Sequence, residues 1–517
     1  GNSEAIWVVP FLGQGHMLPS MELCKRLASR KVKMTMIMSS NPSTSVPSSI
    51  NENPSIEFIY LPSSGPPPPP PPEMGGGHGH PLGGPHHPGQ HQGMHPAGQQ
   101  NQMVTELEKI ISDLLQQSDR VLPACVIVDV MMSWSREVFR KFEIPVIGFF
   151  TSGACSAAME YAVWKEKVSG NHKPGEILKL PGLPPELALN EADLKKRSHC
   201  PHGGSHGPPP GFADGGPSHP PPFDGGLDGK RKAPPELGRQ PPWLDETEGA
   251  VALLINTCRE QEGPFLDYLA NQMQKPVWGV GPLLPDEYWA SAGSVVHDQE
   301  FRGRRQSSVT EDEVTRWLDR KPQGSVLYVS FGTEVGPKTE ELAQLAEALE
   351  ASNVPFIWAV QNSARPGPPS PLPKSGPPRQ EDFAFLSNLI ERERGMVIRG
   401  WAPQLLILSH PSTGGFLSHC GWNSVMEAVA GGVPILGWPI RGDQYFNSDL
   451  VVKYVGVGCI VSDAQKEEIV KGIERLFRNK GIKERAAGLR ARFRNGYPES
   501  SEASLVAICE LVGSLKT

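Results

Sequence analysis

Runs of consecutive apolar residues alternate with longer stretches of helical period along most of this chain, and the alternation sets its fold class. In the first half the apolar runs are AIWVVPF at 5–11, KVKMTMIMSS at 31–40, IEFIYLP at 56–62, ACVIVDVMM at 124–132, IPVIGFFTS at 144–152, GAVALLIN at 249–256 and KPVWGVGPLLP at 275–285. They are apolar at successive rather than alternate positions, so they read as strands buried on both faces. Between them SMELCKRLASR, MVTELEKIISDLLQQS, SWSREVFRKF, ACSAAMEYAVWK and CREQEGPFLDYLANQM read as helices. The first of these ends in basic residues that suit the negative end of a helix dipole. LGQGHMLP, just before it, reads as a turn. Strand, helix, strand in this order predicts a doubly wound parallel sheet, whose loops at the strand carboxyl ends face the ligand.

The second half repeats the pattern. EDEVTRWLDRKPQ and TEELAQLAEALEAS read as helices, SVLYVSFGT and PFIWAVQ as strands, and MVIRGWAPQ leads into a polar-rich stretch at 401–444. QKEEIVKGIERLFRN and GIKERAAGLRARF are surface helices, and the closing SEASLVAICELVGSLK carries an apolar face that must dock on something. The prediction is an α/β protein of two Rossmann-like domains facing across a cleft. The first spans 1–289, a polar linker 290–312, the second domain 313–494, and the last helix lies in 495–517.

Two segments break the pattern. In residues 65–98, 27 of 34 are Gly, Pro or His, and a similar stretch covers 201–242. Neither has a hydrophobic period, so both are expected to be solvated insertions. His78, His80, His86, His87, His91 and His95 lie in the first without an ordered scaffold for a metal, and none is expected to hold one. The loop-rich KLPGLPPELALNEADL reads as one wall of a substrate channel.

Composition narrows the function. A length of 517 residues allows two substantial cores, and a net charge of −7 argues against nucleic acid or an anionic membrane as the main partner. The eight cysteines have no short repeated spacing. Cys24, Cys125, Cys155, Cys258 and Cys420 sit in or beside apolar segments, so buried free thiols are expected. The N-terminus lacks a basic region before an apolar run, and no stretch reaches the ~18 apolar residues of a spanning helix. A cytoplasmic protein, monomeric and without membrane insertion, is the expectation.

The candidate chemistry concentrates at 401–444, WAPQLLILSHPSTGGFLSHCGWNSVMEAVAGGVPILGWPIRGDQ. GFLSH reads as a buried strand, CGWNS as a turn, a helix opens at Asn423 or Ser424 and ends at Gly431–Gly432, and VPILGWP is another strand. A helix opening just after a strand presents free backbone N–H groups and a positive dipole end, which suits a phosphate. His419, Asn423 and Ser424 add side-chain donors there. Glu427, one turn in, can accept from a sugar diol, Trp401 offers a flat face to a base, and Asp443 and Gln444 carry groups that grip hexose hydroxyls.

This stretch resembles the signature box of plant secondary-product glycosyltransferases, the UDP-dependent family that decorates small molecules. The opening WAPQ, HCGWNS, the following Glu, GVP and the closing DQ all stand at family spacing. The resemblance runs from Ala5 to about Lys516 apart from the insertions. It implies the GT-B fold, with the final helix crossing back to the first domain. It also implies that Trp401 stacks on uracil, that Ala402 contacts uracil through its backbone, and that Gln404 and Glu427 bind the ribose. His419, Asn423 and Ser424 would hold the diphosphate and Asp443 and Gln444 the sugar, with Trp422 among them in packing or donor contact. Arg441 departs from the pattern, since many members carry an aromatic residue there. The closing Gln444 is usual in glucosyltransferases and implies UDP-glucose as donor substrate, with no separate cofactor.

Catalysis needs an acceptor hydroxyl made nucleophilic and a leaving diphosphate whose charge is met. His16 follows the first strand; on pattern alone it is as well a structural or exposed histidine. The family places its general base here. Asp129 ends a buried strand, where the resemblance makes it the partner that orients and charges His16, and where pattern alone allows a helix cap. Thr151 and Thr333 also stand at strand ends: each reads as a helix cap or, by resemblance, as a hydroxyl near the donor sugar or diphosphate. No D-x-D metal motif lies in these regions. The expected activity is inverting transfer of glucose from UDP-glucose to a flavonoid, phenol or terpenoid hydroxyl. The alternatives are a sugar-nucleotide epimerase of the same architecture and a proline-rich interaction protein offering GPPPPPPPE to adaptor domains.

Overall fold

A computed structural model describes residues 5–39, 46, 48–61, 97–117, 122–170, 172–198, 237–297, 306–333, 336–360, 384 and 386–515. Nearly all of both Gly/Pro/His-rich segments, with their histidines, lies outside the described residues.

The first domain is a seven-stranded parallel sheet. Its strands are β1 (Ala5–Val9), β2 (Lys33–Ser39), β3 (Ile56–Leu61), β4 (Cys125–Asp129), β5 (Val146–Phe150), β6 (Ala252–Ile255) and β7 (Val277–Gly279), in the order β3-β2-β1-β4-β5-β6-β7. The chain builds outward from β1 to β3 and then crosses to β4, which pairs with the other side of β1. The order reverses there, opening a crevice at the carboxyl ends of β1 and β4. Both faces are covered, which explains the unbroken apolar runs. Ile6, Val8, Met34, Met36, Ile127 and Phe149 pack on one side, and Trp7, Val9, Ile37, Val126, Val128 and Phe139 on the other.

The second domain is a six-stranded sheet of β8 (Val326–Ser330), β9 (Phe356–Val360), β10 (Gly395–Arg399), β11 (Thr413–Ser418), β12 (Ile435–Gly437) and β13 (Gly458–Ile460). Its order, β10-β9-β8-β11-β12-β13, reverses between β8 and β11. Residues 306–308 run beside 399–401: Trp401 N–H donates to the Gln306 carbonyl at 3.0 Å, and Ser308 N–H to the Arg399 carbonyl at 2.9 Å. The Glu499–Ser514 helix buries Leu505, Ile508 and Val512 in the core of the first domain. No helix among the described residues is long and apolar enough to cross a membrane. Cys24, Cys125, Cys155, Cys258 and Cys420 are buried and outside any disulfide among the described residues.

Several elements differ from the sequence reading. The first helix begins at Gln14, not Ser20, so QGHMLP is helical and Pro19 lies inside the helix. The helix expected from Met103 opens at Ala97. Helices Gln404–Ser409 and Asp443–Asp449, a π-helical turn Leu450–Val455, and β13 had no sequence assignment. Gly442, at φ 58°, makes the turn that lets Asp443 open its helix.

Candidate active site

The crevice of the first sheet holds His16, Asp129 and Thr151. Asp129 is the last residue of β4 and 1% exposed. Its Oδ1 accepts from Met131 N–H at 2.9 Å, capping the 3₁₀ turn that follows, while its Oδ2 lies 2.8 Å from His16 Nδ1. Helix cap and histidine partner were alternatives on the sequence; one carboxylate does both, with a different oxygen for each. Thr151, one residue past β5, places its Oγ1 3.0 Å from the same His16 Nδ1. It does not cap the next helix, whose N-cap is Gly153. With a carboxylate facing Nδ1, the ring proton belongs on Nδ1 and the lone pair on Nε2. The edge of Phe11 packs against the imidazole, with ring centroids 5.0 Å apart.

Glu262 supports this corner and was missed on the sequence. Its carboxylate accepts from the N–H groups of Ala154 and Cys155 at 3.0 and 2.6 Å, so it caps the Ala154–Ser169 helix that begins just after Thr151. To reach them, the Arg259–Met273 helix breaks its geometry at Glu262 (φ −130°). Burial raises the Glu262 carboxyl's pKa, while Thr257 and the two amides pull it back. Pro264 could have marked the break, two residues on. Glu160, on the same helix as Ala154, was also missed. Burial, with Asp443 and Glu246 nearby, pushes its carboxyl up to about 8.

The second crevice, between β8 and β11, holds the signature residues. Cys420 takes φ 65°, a left-handed conformation that reverses the chain after β11 so that the Trp422–Gly431 helix opens over the strand end. The helix closes at Gly432 in the left-handed region. Asn423, Ser424 and Glu427 share its half-exposed side. Gln404 joins them: its Nε2 lies 3.2 Å from Ser424 Oγ and 2.5 Å from Glu427 Oε2, and its Oε1 accepts from Tyr328 Oη at 3.0 Å. Tyr328, hidden within the apolar run of β8, thereby fixes which end of the Gln404 amide faces Glu427. Trp401 and Ala402 stand half-buried beside Gln404.

His419 fills the floor of this crevice, against the backbones of Gly332 and Gly421; a Cβ on either would lie within 2.6 Å of its ring. Its Nδ1 is buried and has no hydrogen-bond partner among the described residues. Burial and then the charge of Arg441 hold its pKa down at about 4, so it is neutral at pH 7. Thr333 lies in an exposed bend three residues past β8. Asp443 and Gln444 open their helix nearby. Burial raises the Asp443 pKa against the pull of Asn447, its own N–H, His16 and Arg441. Asn447, fully buried, donates to Asp443 Oδ2 at 3.2 Å and to the Cys420 carbonyl at 3.0 Å, tying the Asp443–Asp449 helix to the turn after β11. Gln444 Oε1 accepts from the N–H groups of Ile440 and Arg441 at 2.9 and 3.0 Å. Its oxygen is thus committed to the loop, and the amide N–H₂ end remains to serve a ligand.

The two crevices face each other. Trp422 Nε1 donates to the Asn256 carbonyl at 2.8 Å, and its ring packs on Gly153, where a Cβ would come within 2.8 Å. Its place is a packed contact between domains. Asn423 Nδ2 donates to the Gly15 carbonyl at 3.1 Å. Arg197, buried over the Phe446 ring, pairs with Asp449, which also meets Lys453 at 3.2 Å. The pairings across the cleft are not visible in the sequence, because each joins residues more than 160 positions apart.

Residues 307–494 match the family described as UDP-glucoronosyl and UDP-glucosyl transferase. The chain is 31% identical over 496 residues to mogroside IIIx synthase of Siraitia grosvenorii, covering 92% of this chain and 86% of that protein. It is 27% identical over 504 residues to scopoletin glucosyltransferase of Nicotiana tabacum, covering 93% and 90%. The fold matches Medicago truncatula UGT71G1, solved with UDP-glucose, at a TM-score of 0.68 and 20% identity, over 100% of this chain and 99% of that one. These likenesses, together with the two facing parallel-sheet domains, place the chain in the plant family 1 UDP-glycosyltransferases of GT-B fold, enzymes that act on small secondary metabolites.

Proposed function

We propose that this enzyme transfers glucose from UDP-glucose to a hydroxyl group of a small lipophilic acceptor, with inversion at the anomeric carbon and with His16 as general base. The observation that carries this reading is the 2.8 Å bond between His16 Nδ1 and buried Asp129, across the cleft from the second domain's helix terminus. Asp129 keeps the proton on Nδ1 and stabilises the imidazolium that forms as Nε2 takes the acceptor's proton. Thr151 Oγ1 can accept from the same Nδ1–H and direct its own proton toward a ligand.

The leaving diphosphate needs positive potential on the opposite side. The Trp422–Gly431 helix terminus, Asn423, Ser424, His419 and the Arg441 cation all belong to the second domain. A base in one domain and leaving-group stabilisation in the other favour attack from the face opposite the departing diphosphate, hence a β-linked product from an α-linked donor. Trp401, Ala402, Gln404 and Glu427 are assigned to the uridine, and Asp443 and the Gln444 amide N–H₂ to the sugar. The charge coupling of Asp443 to His16 supports a sugar site beside the base. Flavonoid, phenol and terpenoid hydroxyls are the acceptors assigned to the apolar wall of the first domain, and no added cofactor enters this scheme. The enzyme is expected to work as a cytoplasmic monomer.

The test is a matrix of initial rates for UDP-glucose, UDP-galactose, UDP-xylose and UDP-glucuronate against such acceptors, with product linkage read by NMR. The fastest rate is expected with UDP-glucose, giving β-glucosides. A faster alternative donor overturns the donor assignment, and α-linked products overturn the single displacement.

A further inference from the structure

The Gly15 carbonyl belongs to the first turn of the Gln14–Ala28 helix, one residue before His16. In an uninterrupted helix it would accept from the N–H of residue 19. Residue 19 is proline, which has no N–H and whose ring crowds the carbonyl four residues back. Gly15 is exposed at the cleft. The donor that meets its carbonyl comes from the other domain: Asn423 Nδ2, at 3.1 Å. A Cβ at position 15 would lie 3.5 Å from that same nitrogen, so the approach is close but unstrained.

We propose that Pro19 and Asn423 act together as positioning residues: Pro19 frees and turns out the Gly15 carbonyl so that Asn423 can hold the His16 helix in register with the donor-binding helix. An amide nitrogen has two hydrogens. One serves Gly15, and the second remains for the diphosphate assigned to this helix terminus. A single side chain thus couples donor occupancy to the placement of the base, and placement errors of the order of an ångström cost turnover heavily. The inference rests on the assignment of His16 as base and of the helix terminus as the diphosphate site.

Pro19→Ala restores an N–H at position 19, lets the Gly15 carbonyl tilt back toward the helix axis and leaves Asn423 intact for the diphosphate. It should lower kcat ~3- to 10-fold, with the KM for UDP-glucose and the UDP affinity nearly unchanged. Asn423→Ala should lower kcat and weaken UDP binding together. In the Asn423→Ala background the kcat loss from Pro19→Ala should disappear, because the two residues act through one bond. Thermal melting of each variant reports folding, and the pH profile of kcat/KM should keep its shape, since the His16–Asp129 bond is untouched. If the two losses multiply, or if Pro19→Ala leaves kcat at the parent value, the coupling does not exist. Failure of the functional reading would look different: the parent enzyme itself would show no turnover with UDP-glucose.

Discussion

The His16–Asp129 pair makes a sharp prediction for Asp129→Asn. The substitution keeps the shape of the side chain, and Met131 N–H, from which Asp129 Oδ1 accepts at 2.9 Å, still needs an acceptor. That requirement turns the new amide's oxygen toward Met131 and its N–H₂ toward His16 Nδ1. Two donors cannot share that gap, so Nδ1 must become the acceptor and Nε2 must carry the proton. A protonated Nε2 cannot take a proton from the acceptor substrate. Loss of the charge-assisted bond alone is worth ~1.5–3 kcal/mol, roughly 10- to 150-fold. With the tautomer reversed, the full general-base contribution of ~10²–10⁴ is at stake. The assay is initial-rate UDP release with a hydroxyl acceptor, beside UDP binding by calorimetry and thermal melting to show an intact fold. Asp129→Asn with more than about a tenth of the parent turnover would refute the tautomer argument.

Three other contacts carry predictions of their own. Gln444→Glu should keep the loop, because a carboxylate still accepts from Ile440 and Arg441 N–H. It loses the amide donor, so kcat/KM for UDP-glucose should fall ~10-fold at unchanged melting temperature; an unchanged kcat/KM removes Gln444 from the sugar site. Gly153→Ala should destabilise by ~1–3 kcal/mol, since its Cβ meets the Trp422 ring at 2.8 Å; a parent-like melting temperature would show that the domains part easily there. His419, with its folded pKa at about 4, lies below the ordinary 6.5. The unfolded chain therefore binds more protons between these values, and stability falls as pH drops from about 6.5 toward 4. A bound diphosphate should raise that pKa, so UDP binding near pH ~5.5, between the two values, should take up protons, seen as buffer-dependent heats in calorimetry. Heats independent of the buffer would separate His419 from the diphosphate.

The sheets were legible because strands buried on both faces leave unbroken apolar runs, as in Cys125–Asp129 and Val326–Ser330. The signature helix was legible because Gly432 marks its end and polar donors crowd its start. The start of the first helix was not: LGQGHMLP reads as a turn, yet Pro19 sits inside the helix, and the Gly15 carbonyl four residues before it meets a donor from the other domain. Glu262 gave no periodic signal, because its role is to leave its own helix and cap another. The Gln444 amide could be placed near a sugar by its position in the box. Its orientation depends on two backbone N–H groups that only the folded loop brings within reach. Trp422 carried the same ambiguity; its contacts with Asn256 and Gly153 pack it between the domains and join residues far apart in the sequence.

The account stands most directly on His16. Its imidazole is held by Asp129 and Thr151 on Nδ1, which assigns the proposed proton transfer from the acceptor to Nε2. Turnover of His16→Ala with UDP-glucose and a phenolic acceptor is the decisive measurement. The expected result is a loss of ~10²-fold or more in kcat with UDP affinity nearly intact. Near-parent turnover across several hydroxyl acceptors would contradict the mechanism and leave His16 a structural residue.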